Sequence, residues 1–252
     1  MHSLAICLLF FHLLFSTIAI ETQQPCKSTE CYLLNCGSSS NLKSSDNRYW
    51  EGDNHSSFSD QPKILEAGSS SASNASEKDP FVPQVPFMTA RIFLSKFTYS
   101  FPVTSGQKFI RLYFYPATYS GHAKSQFFFS ITANGFTLTK NFSAYLTASA
   151  MNSPNPTLEK EFIVNMPKNE RLLNITFNPS PSSYAFINGI EVVSMPENLY
   201  LGPIDKPIVF VNNMETSIQL DMGTALETVY RVSVGGGQMI SGVNDTAGMF
   251  RT

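Results

Sequence analysis

The stretch YAFINGIEVVSMPENLY, Tyr184 to Tyr200, reads as two short apolar strands parted by Asn188-Gly189 and stopped by Pro196. Asn-Gly suits a type I′ turn, whose two central residues both need positive φ, so the stretch predicts a β-hairpin. Working outward, the same texture recurs. Ile110, Leu112 and Phe114 alternate with Arg111, Tyr113 and Tyr115, and Phe127, Phe129, Ile131 and Ala133 with Phe128, Ser130 and Thr132. Leu173, Ile175 and Phe177 alternate with Leu172, Asn174 and Thr176. Period two means strands with one buried face each. A second Asn-Gly pair, Asn134-Gly135, predicts another hairpin, and no segment carries a convincing amphipathic helix. The expectation is an all-β antiparallel sandwich or jelly roll.

The 252-residue chain begins with an apolar run through Phe15 and a small-x-small pattern at Thr17-Ile18-Ala19. Residues 1–20 are therefore expected to be a secretory signal peptide, short of the ~20 apolar residues that span a bilayer. Residues 21–80 are expected to hold an N-terminal strand and a Ser/Asn-rich glycosylated loop, with Ser38 to Asp79 of loop composition, and residues 81–252 the rest of the sandwich. Five sequons, at Asn54, Asn74, Asn141, Asn174 and Asn244, agree with a secreted, extracellular setting. On the strand from Leu172, Asn174 falls on the open face. Cys26, Cys31 and Cys36 remain after signal removal, an odd number whose pairing the spacing leaves open. With His55 and His122 as the mature histidines, neither a metal site nor a cofactor is expected.

Several segments together resemble the malectin-like ectodomain, first lobe, of plant FERONIA-type (Catharanthus roseus receptor-like kinase 1-like) receptor-like kinases. They are YLLNCGSS (Tyr32–Ser39), FTYSFPVTSGQKFIRLYFYP (Phe97–Pro116), FTLTKNFSA (Phe136–Ala144), LNITFNPSPSSYAFINGIEVVSMP (Leu173–Pro196) and ALETVYRVSVGG (Ala225–Gly236), with AGMFRT at the end. The resemblance implies a malectin-like jelly-roll β-sandwich of galactose-binding-like type, outside the plasma membrane, serving as a sensor in cell-wall and growth signalling. It implies partners too: a secreted cysteine-containing peptide and a lipid-anchored co-receptor. Relatives of that family continue into a second lobe, a membrane helix and a Ser/Thr kinase. This chain stops at Thr252 without a kinase glycine loop, HRD or DFG. It is expected to be either a fragment or a secreted single-lobe paralogue, in the apoplast, or at the plasma membrane if the full-length receptor is intact.

No catalytic residues are expected. Two histidines and no G-x-S-x-G leave a hydrolase triad without parts, and Glu159 with Glu161 reads as a solvated strand edge rather than a glycosidase pair. VGGGQMISG, Val234–Gly242, lacks the Lys-Ser/Thr of a phosphate loop and reads as a turn. Nucleic acid is not an expected partner. Trp50 is expected to anchor the N-terminal loop to the sandwich, and FVPQVPF, Phe81–Phe87, to lead into the sheet in an extended form.

Charge is uneven. Residues 21–79 hold nine acids and five bases, residues 80–158 no acid and six bases, and residues 159–252 ten acids and six bases, which gives net charges of −4, +6 and −4. The six bases are Arg91, Lys96, Lys108, Arg111, Lys124 and Lys140. A second function class follows: a carbohydrate-binding module for acidic polysaccharide such as pectin, built from Lys108, Arg111, Tyr113, Tyr115, Tyr119 and Lys124. Against it stand packing of those tyrosines under a neighbouring segment and neutralisation of those bases by acids from the chain's other thirds. Animal malectin, a relative by fold, holds a glucose disaccharide with an aromatic pair and an aspartate. Thr118-Tyr119-Ser120 supplies one aromatic, and Pro179–Phe186 supplies no carboxylate.

Overall fold

The computed structural model describes residues 28–53, 63–65 (backbone), 69–151, 156–196 and 223–229. The signal peptide, Cys26, Asn54, Asn244, Val234–Gly242 and the closing AGMFRT lie outside the described residues. Among the described residues fifteen strands, numbered in chain order, form three sheets. The first runs β15 (Leu226–Glu227), β11 (Leu158–Met166), β8 (Gly106–Phe114), β14 (Gly189–Ser194), β1 (Cys31–Asn35), β3 (Tyr49–Gly52), β2 (Leu42–Lys43). The second runs β10 (Phe136–Phe142), β9 (Phe129–Ala133), β12 (Leu172–Pro179), β7 (Phe97–Pro102), β4 (Lys63–Leu65). The third runs β13 (Ala185–Ile187), β6 (Thr89–Phe93), β5 (Ser70–Asn74). Every pairing is antiparallel except β1 with β3.

The predicted sandwich is what forms. Phe129, Ile131 and Ala133, and Leu173, Ile175 and Phe177, are buried, while the residues between them are half-exposed. An aromatic seam fills the space between the layers. Phe93 stacks on Phe97 at 4.5 Å between ring centroids, and Phe114 meets Phe142 at 5.1 Å and Phe186 at 5.7 Å, both edge to face. Such pairs add about 0.5–1.5 kcal/mol each beyond the area they bury. The Asn134-Gly135 turn is also as expected: φ is 42° and 88° at the two residues, and Ala133 pairs with Phe136.

The opening stretch departs from its reading as a hairpin. β13 pairs with β6 in the third sheet, whereas β14 pairs with β8 and β1 in the first, so the chain changes sheets at Asn188. Asn188 is fully buried and makes the corner. Its Nδ2 donates to Phe87 O (2.9 Å), Thr89 O (2.7 Å) and Tyr119 Oη (2.9 Å), and its Oδ1 accepts from Tyr115 N (2.7 Å). Its own backbone N–H donates to Tyr113 O and its carbonyl accepts from Cys36 N. Gly189 is required for close approach: an added Cβ would stand 2.7 Å from Pro86 and 3.1 Å from Trp50.

Three further expectations are corrected. Residues 38–53 and 69–79 are not loop throughout, for they contribute β2, β3 and β5. Ser70–Asn74 forms a strand because backbone pairing with β6 supplies its hydrogen bonds, and as an outer strand it needs no apolar side chains. β8 is buried on both faces, not one, apart from the half-exposed Gly106 at its start. Gln84–Phe87 in the Phe81–Phe87 segment is a short helical turn rather than extended chain, with non-helical backbone at Val85 and a cis Val85–Pro86 bond.

Asn188→Ala removes the partner of several buried groups, each of which costs about 1–3 kcal/mol when left unpaired, so a loss of about 3 kcal/mol or more is expected in urea unfolding. Gly189→Ala should cost about 1–3 kcal/mol by overpacking. A Gly189→Ala protein as stable as the parent would show that the corner has slack.

Candidate functional site

The residues singled out for polysaccharide binding are largely consumed by the fold. Lys108, Arg111, Tyr113, Tyr115 and Tyr119 are each at most 4% exposed, and Lys124 alone of the six stands in solvent, its ammonium 5.3 Å from the Tyr145 ring. The expected open tyrosine stripe is therefore a packed one. Tyr119 Oη donates to Tyr115 O at 2.7 Å and accepts from Asn188, and Tyr115 Oη donates to Glu77 O at 3.4 Å.

The register explains where Arg111 goes. It lies opposite Glu191 on β14 and opposite Glu161 on β11, so two carboxylates flank it from neighbouring strands on one sheet face. Arg111 Nε donates to Glu161 Oε1 at 2.7 Å, and Nη1 reaches Glu191 Oε2 at 3.3 Å. Tyr113 Oη donates to the same Glu191 oxygen at 2.7 Å. Arg48 Nη1 holds the other Glu191 oxygen at 3.0 Å, with its guanidinium 5.0 Å from the Trp50 ring and its Nε on Asp46 at 2.9 Å. Burial disfavours the Arg111 cation, but Tyr113, Glu191 and Glu161 outweigh that and raise its pKa. Glu159 lies 3.7 Å from Arg111 Nε; burial pushes its carboxyl up, Arg111 opposes, and Glu161 and Glu191 add to the rise. The Glu159/Glu161 pair is thus divided: Glu161 turns onto Arg111 at 2.7 Å and is 11% exposed, whereas Glu159 keeps the solvent exposure expected of a strand edge, and β15 continues the sheet beside Phe162 and Ile163.

The other bases of the positive third divide. Arg91 holds Asp53 through Nε (2.5 Å) and Nη2 (2.8 Å), with Tyr99 Oη and Gly37 N donating to the same carboxylate at 2.8 Å. Lys108 meets Glu30 Oε2 at 2.9 Å and Ser194 Oγ at 2.9 Å. Acids from the first and last thirds therefore neutralise Arg91, Lys108 and Arg111, while Lys96, Lys124 and Lys140 remain exposed. Trp50 is fully buried, donates through Nε1 to Ser44 Oγ at 3.2 Å, and meets Tyr113 edge-on at 5.2 Å, so it ties the N-terminal segment to the sandwich.

Among the open grooves of the described residues, one of about 420 Å³ lies between Leu94–Lys96 and Asn178–Tyr184, with Ser180, Ser182 and Ser183 on its wall. His122 lies against Tyr184 at 3.9 Å between ring centroids. Hydroxyls, one amide, one ammonium and a paired aromatic rim can bind a polar ligand; the groove's lining carries no carboxylate for acid–base work. In the sequence Lys96 stands out only as one of the six bases and Pro179–Phe186 only for its missing carboxylate, and nothing there joins the two segments into one groove. Of the sequons, Asn74 and Asn141 are exposed and Asn174 is half-exposed. Cys31 is exposed and Cys36 fully buried, both free thiols among the described residues.

Two measurements follow. Arg111→Met strands buried carboxylates and should cost about 3–5 kcal/mol, part of which Glu191→Gln in the same chain restores. Denaturant midpoints of the two variants check this, and no recovery in the double variant would mean that Glu191 is not the partner. The second concerns Asp46: burial works against its ionised form, but Ser44 and Arg48 outweigh this and lower its pKa below 3.8. Its contribution is complete above the ordinary value and is lost as the pH falls through the lowered one. Asp46→Asn should therefore be less stable at neutral pH and lose less on acidification than the parent.

A model of the malectin-like domain matches residues 34–251. Receptor-like protein kinase FERONIA of Arabidopsis thaliana is 45% identical over 251 residues, 97% of this chain and 26% of FERONIA. The chain thus spans about a quarter of that relative's length. The crystal structure of the ANX1 ectodomain from Arabidopsis thaliana superposes with a TM-score of 0.74 at 35% identity, covering 88% of this chain and 54% of that one. A crystal structure of the plant peptide RALF23 in complex with FER and LLG2 matches with a TM-score of 0.66 at 43% identity, covering 81% and 48%. What this chain matches in the receptor kinases is ectodomain, not kinase. The family match runs from within β1 past β15, so it takes in both layers of the sandwich, and the chain belongs to the malectin-like domain family.

Proposed function

We propose that this chain is a non-catalytic extracellular recognition domain, equivalent to the first malectin-like lobe of a receptor-like kinase, that takes a secreted peptide together with a protein co-receptor. The observation that carries the reading is the 43% identity to the FER chain solved with a peptide and LLG2. The internal chemistry agrees with it. Buried arginines, tyrosines and glutamates are engaged with one another, so recognition falls to exposed loops rather than to a reactive centre.

Binding of acidic wall polysaccharide is the alternative. Its case now rests on Lys96, Lys124 and Lys140, the exposed remainder of the positive third. Titration separates the two. The full chain is titrated calorimetrically with a cysteine-containing secreted peptide, with and without co-receptor, and with oligogalacturonides across a salt series. The proposal expects peptide binding strengthened by co-receptor. Oligogalacturonide binding that weakens steeply as the Debye length shrinks from about 30 Å to about 8 Å, with no peptide binding, would reverse the order of the two readings.

A further inference from the structure

The sequons were left aside by the functional reading, and the fold gives two of them a common position. Asn174 lies on β12 and Asn141 on β10, both in the five-stranded sheet. β12 turns Leu173, Ile175 and Phe177 into the core, so Asn174, Thr176 and Asn178 face the other way. Across that outer face Thr98, Thr176, Thr132 and Thr137 stand opposite one another on four successive strands. Thr98 and Thr176 join their hydroxyls at 2.8 Å. Asn141 is brought to the same face: its backbone N–H donates to Ser130 Oγ at 3.2 Å, and Ser130 alternates with the buried Phe129 and Ile131.

Both asparagines are held by the amide oxygen. Ser100 Oγ donates to Asn174 Oδ1 at 2.6 Å, and Ser180 Oγ donates to Asn141 Oδ1 at 3.1 Å. Neither bond uses Nδ2, the atom that carries an N-glycan. Ser180 also lines the groove described above, which puts the first sugar on Asn141 beside it.

We infer that Asn141 and Asn174 carry N-glycans that together cover the outer face of the five-stranded sheet, so that this hydroxyl-lined face is a carbohydrate-sheathed side of the domain and closed to a protein partner. In the transfer, Asn Nδ2 forms a bond to C1 of the first sugar as the C1–O bond to a lipid pyrophosphate donor breaks. The lipid pyrophosphate leaves, and the Nδ2 proton is released to solvent. For Asn174 the transfer precedes pairing of β12, because the Thr176 hydroxyl that completes the sequon is bonded to Thr98 once the sheet has formed. The lateral geometry is adequate. Strands lie about 4.8 Å apart and residues rise about 3.3 Å along them, which puts the two sites roughly 16 Å apart, within reach of two branched glycans.

The test uses the full chain secreted from plant cells with glycan processing blocked, so that its glycans stay of high-mannose type. Glycopeptide mapping first reads occupancy at Asn141 and Asn174. Hydroxyl-radical footprinting is then compared before and after endoglycosidase trimming of the folded protein, which needs no variant and so avoids misfolding. Leu172, exposed beside Asn174, and Tyr184, on the groove wall, report on the sheathed face; Tyr49, exposed on β3, is the control. The expected result is occupancy at both sites and oxidation of Leu172 and Tyr184 that rises about twofold or more on trimming, with Tyr49 unchanged. An unoccupied Asn141 or Asn174, or oxidation that trimming does not alter, would overturn the inference.

Discussion

The architecture depends on one buried carboxamide. Asn188 sits where the chain leaves the three-stranded sheet for the seven-stranded one, and its side chain binds the turn before β6, the start of β6, the residue after β8 and Tyr119 at once. Polar groups in so dry a place are costly unless paired, and here the pairing is complete enough to make the corner specific. Gly189 lets Pro86 and Trp50 close over it. Trp50 in turn seats the N-terminal segment, and with it Arg48, above the face on which Arg111 lies.

From that arrangement follows the fate of the charges. β8 is covered on both faces, so its arginine has to be neutralised in place, and the strands on either side each present a glutamate at the matching register. Two acids and a base on three adjacent strands could be mistaken for a catalytic set. The geometry instead points both carboxylates at guanidinium groups, which fixes register and leaves neither of them free to act as a base. A recognition domain that works through loops needs only such a rigid support beneath them.

Much of this was legible in the residues. The alternation at Phe129–Ala133 and Leu173–Phe177, the Asn134-Gly135 turn and the anchoring by Trp50 follow from local pattern and composition. Asn188-Gly189 misled because the pair signals positive φ, whereas here the asparagine is wanted for its hydrogen bonds and the glycine for its missing Cβ. The polar positions of β8 misled for a related reason: alternation implies one wet face, but partners 50 and 80 residues away make Arg111 burial possible. Ser70–Asn74 is a strand by virtue of its neighbour β6, a dependence that composition does not carry. The groove beside Tyr184 was invisible because three segments distant in sequence form its wall and rim.

The most direct test of the corner is native-state hydrogen exchange at the Asn188 carboxamide, followed by NMR in increasing denaturant. If this side chain holds the three-stranded and seven-stranded sheets together, its Nδ2 protons exchange only by global unfolding, with the same free energy and denaturant dependence as the slowest backbone amides of β8 and β14. Exchange through a low-energy local opening, insensitive to denaturant while those amides stay protected, would contradict the account.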